Sequence, residues 1–173
     1  MKIYSIILGS AFSFAMAACT SVPSEPRAMA ELKSTTGNTA NGTVNFVQNG
    51  NKVMVTGEVR GLKPNAEHGF HIHEKGDCSS GDGMSAAGHF NPDGKPHGSQ
   101  ADNNHHAGDL PALKADANGV AKFNFESTSI SVAAAATAVA GKGLIVHISP
   151  DDYKTQPTGN SGARLACAVI ASI

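Results

Sequence analysis

Where apolar and polar residues alternate along this chain, they do so with the two-residue period of strands rather than the 3.6-residue period of helices. Val44 and Phe46 alternate with polar neighbours, as do Val53, Val55 and Val59, and Asn49-Gly50 lies between the two runs as a hairpin turn signal. Leu62-Lys63-Pro64-Asn65 marks a further reversal. Gly69 to His73 reads as a strand with Phe70 and Ile72 on one face and His71 and His73 on the other. Strand patterns return at Ala112 to Ala115, at Val120 to Phe125 after the turn signal Asn118-Gly119, and at Leu144 to Ile148, which carries His147. Arg164 to Ile173 closes the chain with Leu165, Cys167 and Val169 on one side. The alanine-rich Val132 to Ala140 fits either a helical turn or a loose connection. Many short strands, turn signals between them and no long amphipathic helix predict an all-β fold, an antiparallel β-sandwich or barrel with Greek-key connections.

Two stretches break the alternation. From Glu74 to Asp109 the chain is dominated by Gly, Ser, Asp, Asn, Pro and His without periodicity, and Ser149 to Ala163 forms a second long loop. Irregular loops of that length inside a small domain are uncommon unless they carry function, and something must hold them.

The N-terminal end has a different character. Lys2 and the apolar run Ile3 to Met16 read as a secretory signal over residues 1–18, too short for a membrane span. The junction Ala17-Ala18-Cys19 resembles a bacterial lipobox, which would make Cys19 a lipidated N-terminus; Ala15-Met16-Ala17 also permits a plain signal cleavage. Residues 19–36, polar and containing Pro23 and Pro26, read as a tether, leaving 37–173 as the folded domain. With Cys19 set aside, Cys78 and Cys167 form an even pair in an exported chain, so a disulfide is expected. Beyond residue 18 the chain has 12 Lys and Arg against 14 Asp and Glu, with no basic stretch for nucleic acid. The expected location is the periplasm or cell envelope.

Eight histidines are many for 173 residues, and they cluster. His71 and His73, two apart on a strand, project from one face and can reach one ion. His89, His97, His106 and Asp109 lie in the irregular loop, where no packing face accounts for them, and three imidazoles with one carboxylate suit tetrahedral zinc. His147, from a strand far downstream and between Val146 and Ile148, fits by itself the ordinary reading of a lone strand histidine, a hydrogen-bonded core residue.

Taken in order, Gly69-Phe70-His71-Ile72-His73-Glu74, Gly88-His89-Phe90-Asn91-Pro92, Gly108-Asp109-Leu110, Val146-His147 and Gly162-Ala163-Arg164-Leu165-Ala166-Cys167 resemble the copper/zinc superoxide dismutase family, over about Gly42 to Ile170. The spacing from His89 through His97 and His106 to Asp109 is similar to that family's zinc loop. The resemblance implies one copper held by His71, His73, His89 and His147, and one zinc held by His89, His97, His106 and Asp109, with His89 shared. It implies that Cys78 and Cys167 form the family disulfide, that Arg164 stands beside the copper, and that Asp151 orients one histidine of each metal. His68 and His105 match no ligand position. The implied activity is disproportionation of superoxide to dioxygen and hydrogen peroxide as an antioxidant defence, with His89 and Arg164 as the catalytic residues. Lys75, Lys95, Lys142 and Lys154 are candidates for steering the anion. A metal carrier without turnover would lack a copper ligand or the arginine, and a zinc-stapled structural module would leave His71, His73 and His147 without purpose. Family members are monomers or dimers, and a homodimer is the expectation here.

Overall fold

Strands β1 (Arg27–Ser34), β2 (Asn41–Asn49) and β3 (Lys52–Arg60) form an antiparallel meander. They are followed by β4 (Glu67–His68), β5 (Phe70–His73), β6 (Leu113–Lys114), β7 (Ala121–Ser127), β8 (Gly143–His147), β9 (Arg164–Val169) and β10 (Ala171–Ser172). The computed structural model describes residues 25–173; the expected signal segment 1–18 and Cys19 lie outside the described residues. The main sheet runs in the order β5-β8-β9-β1-β2-β3-β7, curled and antiparallel throughout, with β10 added to β1, while β4 and β6 form a small second sheet. The chain crosses between the two halves after β3, again after β5 and again after β7, the over-and-back path of a Greek key. No helix among the described residues is long and apolar enough to cross a membrane.

Alternation explains the core. In β2 and β3, Val44, Phe46, Val53, Val55 and Val59 turn inward and are fully buried, and β5, β8 and β9 contribute Phe70, Ile72, Leu144, Val146 and Ala166. Each large apolar side chain buried this way contributes roughly 1.5–3 kcal/mol. The β2–β3 reversal falls on Gly50-Asn51, one residue beyond the Asn49-Gly50 signal, with Gly50 at φ 59° as the first turn residue. The Val132 to Ala140 stretch is a loose connection and not a helical turn. Val132 and Val139 drop into the core, Ser131 bridges Ala138, and the Gln48 side chain accepts the Val132 N–H at 2.8 Å.

The tether expected over residues 19–36 is corrected from Arg27 onward, where β1 begins. Its residues alternate outward and inward, with Ala28, Ala30 and Leu32 buried, and it pairs with β2 on one side and β9 on the other. It therefore joins the two halves of the sheet.

Candidate metal centre

The site is assembled on the outer edge of β5. All four residues of this strand are buried, Phe70 and Ile72 in the core and His71 and His73 on the opposite face. Its second edge is completed by the long loop after it. Leu110 and Ile72 N–H groups donate to Phe70 and Gly108 carbonyls, while Phe90 and Glu74 N–H groups donate to Ile72 and Gly88 carbonyls. Isolated bridges pair His71 with Asp109 and His73 with His89. The loop is thus used as edge strand, which carries His89 and Asp109 alongside the strand histidines. Gly108 is required here, because a Cβ would collide with the Ile72 carbonyl. His147 arrives from β8, the neighbour of β5 on its other side, at a register shift after Val146.

Two groups of side chains result, each with ligand atoms within 4.8 Å of one another: His71, His73, His89 and His147, and His89, His97, His106 and Asp109. Every member is buried, and His89 belongs to both. In the first group one ring nitrogen of each histidine is committed to a neighbour. His71 Nε2 meets Asp151 Oδ2 at 2.6 Å, His73 Nδ1 donates to the Ala87 carbonyl at 2.8 Å, His147 Nδ1 donates to the Gly162 carbonyl at 3.1 Å, and His89 Nδ1 meets Asp109 at 2.8 Å. These partners select the tautomer and leave His71 Nδ1, His73 Nε2, His89 Nε2 and His147 Nε2 buried without a hydrogen bond. Buried nitrogens without partners are costly, and four of them in one group suit a metal that prefers imidazole. Copper fits this donor set.

In the second group Asp109 Oδ1 lies 2.8, 3.0 and 3.3 Å from the Nδ1 atoms of His89, His97 and His106, and His89 and His106 Nδ1 are 3.3 Å apart. Zinc–nitrogen bonds of about 2.0–2.1 Å place tetrahedral ligands about 3.3 Å from one another, so the four atoms already stand close to the edges of that figure. Asp109 Oδ2 is held by the N–H groups of Gly98 and His106. Zinc fits here.

Asp151 ties the groups together, with Oδ2 on His71 and Oδ1 on His97 Nε2 at 2.9 Å. Burial lowers the His89 ring to about 4 against the pull of Asp109, and lowers His147 to about 3. His97 differs: burial opposes its charge, but hydrogen bonds to Asp109 and Asp151 outweigh it and raise the ring to about 9. Both its nitrogens face carboxylate oxygens, as in an imidazolium. Zinc bound by this group should therefore displace close to one proton from His97 at pH 7. Calorimetric titration in buffers of different ionisation heat measures this count, and a buffer-independent heat would contradict it.

Arg164 opens β9 beside the first group. Nη1 donates to the Gly83 carbonyl and Nη2 to the Ala87 carbonyl, each at 2.6 Å, so Arg164 and His73 share one acceptor. Ala87 holds that carbonyl from a backbone at φ 64°, ψ −147°, a conformation that essentially only glycine adopts without strain. Nothing in the sequence signals Ala87 or the Gly162 carbonyl, because both act through backbone atoms. His68, unassigned in the sequence, donates from Nδ1 to the His147 carbonyl at 2.8 Å. His105 stays outside the zinc group, its ring between the His106 carbonyl and Ser129 Oγ. Of the steering candidates, Lys142 is held by Glu74 at 2.6 Å and lies over the Phe90 ring, and Lys95 is 3.9 Å from Asp93. Lys75 and Lys154 form no ion pair among the described residues. The Cys78–Cys167 disulfide is formed. A cleft of about 750 Å³ is lined by Ser99, Asp102, His105 and Ser129 among others, and no member of either ligand group lines it.

Comparison with known proteins agrees with this geometry. Residues 40–170 match the family model described as copper/zinc superoxide dismutase. A Cu-Zn superoxide dismutase of Paramecium bursaria Chlorella virus 1 is 42% identical over 75% of this chain and 71% of its own. A second, from Aquifex aeolicus (strain VF5), is 38% identical over 83% of this chain and 86% of its own. Among solved structures, that of the clock protein EA4 superposes with a TM-score of 0.77 at 37% identity, covering 88% of this chain and 98% of that one. On these grounds the chain belongs to the copper/zinc superoxide dismutase family, enzymes that use copper and zinc.

Proposed function

We propose that this chain disproportionates superoxide at a copper held by His71, His73, His89 and His147, with zinc on His89, His97, His106 and Asp109. The observation that carries the reading is the set of four buried, unpartnered ring nitrogens around one point, one of them on a histidine whose other nitrogen belongs to the zinc group. Bound there, copper supplies alternating one-electron oxidation and reduction, and zinc supplies fixed positive charge without redox change. Two superoxide anions and two protons give one dioxygen and one hydrogen peroxide. His89 Nδ1 is committed to the Asp109 side, so Nε2 is the atom that takes up a proton and delivers it to the reduced substrate, the other proton coming from solvent. Arg164, immobilised by two carbonyls, presents its remaining N–H groups to an arriving anion. Asp151 keeps His71 and His97 in the tautomers that direct Nδ1 inward.

A bridging disulfide and the resemblance of the N-terminal segment to a lipobox support action in the cell envelope, in the periplasm or anchored through Cys19. The test is reconstitution of metal-free protein. One copper and one zinc per chain with rapid superoxide consumption are expected, and zinc alone should give none. Protein that takes up copper at one per chain yet leaves superoxide decay at the uncatalysed rate would support a carrier instead.

A further inference from the structure

His97 is the zinc-group member whose support comes least from its own loop. It is buried, yet among the described residues its main-chain N–H and C=O meet no other backbone group. Both are instead taken by one side chain from the second loop. Gln156 Oε1 accepts the His97 N–H at 2.7 Å, and Gln156 Nε2 donates to the His97 carbonyl at 2.9 Å. An amide paired to both main-chain groups of one residue does what a neighbouring strand would do, and it fixes both position and rotation of that backbone. The same loop brings Gly159 over the ring. At φ 63° its Cα faces the hydrogen bond from His97 to Asp151, and a Cβ there would stand 2.6 Å from both His97 Nε2 and Asp151 Cγ. Without a side chain at 159, the Asp151 carboxylate can close onto the ring.

We propose that Gln156 and Gly159 are positioning residues for the zinc ligand His97, so that the second loop, which contributes no ligand, sets how firmly the zinc is retained. This rests on the zinc assignment above. Asp151 grips the ring, Gln156 grips the main chain, and Gly159 admits the first grip. Outer partners of metal ligands typically carry about 10–100-fold in affinity, and loss of either grip should speed zinc release by that order.

The test uses the protein loaded with both metals, Gln156→Ala, Gln156→Glu and Gly159→Ala, and Asp152→Ala as comparison. Asp152 caps the turn of this loop through the N–H groups of Lys154 and Thr155 without touching His97. Zinc transfer to a chromogenic chelator is followed at neutral pH, together with the visible absorption of cobalt placed in the zinc site. Expected are release about 10–100-fold faster for Gln156→Ala and Gly159→Ala, and a smaller increase for Gln156→Glu, which keeps the acceptor for the His97 N–H. The cobalt bands should shift in the first two. Asp152→Ala should unfold at lower temperature with release and cobalt bands close to wild type. If Asp152→Ala loses zinc as fast as Gln156→Ala, general loosening of the loop explains both and the proposal falls. It falls too if the variants at 156 and 159 release zinc at the wild-type rate. A wild type that binds no zinc would instead refute the zinc assignment itself. Should Gly159→Ala fail to fold, the two variants at Gln156 decide the matter.

Discussion

His147→Ala should retain one zinc per chain and lose copper-dependent superoxide consumption by at least about 100-fold. The ring comes from β8 and offers Nε2 to the copper group alone, sharing no atom with His97, His106 or Asp109. Its removal leaves three donors where four converged, and even the outer partners of metal ligands carry 10–100-fold. The variant also vacates the Gly162 carbonyl that receives Nδ1–H, but that loop end remains attached through the Ile148 N–H to Ala163. Metal analysis and superoxide decay on the same sample separate the outcomes. Equal turnover by variant and wild type would remove His147 from the copper site, and simultaneous loss of zinc would show that the two groups are not built independently.

The second large effect belongs to the disulfide. Replacing Cys78 and Cys167 together by serine opens a link between positions 89 residues apart, worth on the order of 4–5 kcal/mol by the chain-entropy argument. More than stability is at stake. The segment from Cys78 to Ala87 supplies both carbonyls that immobilise Arg164, and Cys167 lies three residues beyond Arg164 on β9. The segment is also held by the Thr36 N–H to Gly81, by Ser85, which bonds Asp77 and Ser80, and at its far end by the Lys75 N–H to Ala86 and His73 to Ala87, so the disulfide is the tie at its Cys78 end. The double variant should therefore denature at clearly lower denaturant concentration. It should also turn over superoxide several-fold more slowly, with a weaker response to added salt, because the guanidinium no longer has a fixed position. An unchanged denaturation midpoint would contradict the first expectation, and an unchanged salt dependence the second.

Much of this architecture is legible from residue patterns because inward positions are large where pairing is regular. Val44 and Phe46, Val53 and Val55, Phe70 and Ile72 announce their strands, and the same two-residue period places His71 beside His73. β1 is less audible. Its inward positions are Ala28, Ala30 and Leu32, so two of three are too small to stand out, and the proline-containing stretch before it suggests a continuing tether. The histidine ligand groups could be found because imidazoles without a packing role are rare. The carbonyls of Ala87 and Gly162 could not, since any residue supplies one. Gln156 is equally silent: a glutamine in a polar loop has no preferred partner until His97 is brought next to it by folding.

The early start of β1 bears on where the enzyme works. Only seven residues lie between Cys19 and Arg27, and eight steps of fully extended chain span at most about 3.3–3.6 Å each, roughly 25–30 Å in all. A lipid carried on Cys19 would keep the start of β1 within about 30 Å of the bilayer, giving the domain the shallow layer of fluid next to the lipid to patrol rather than the full depth of the compartment.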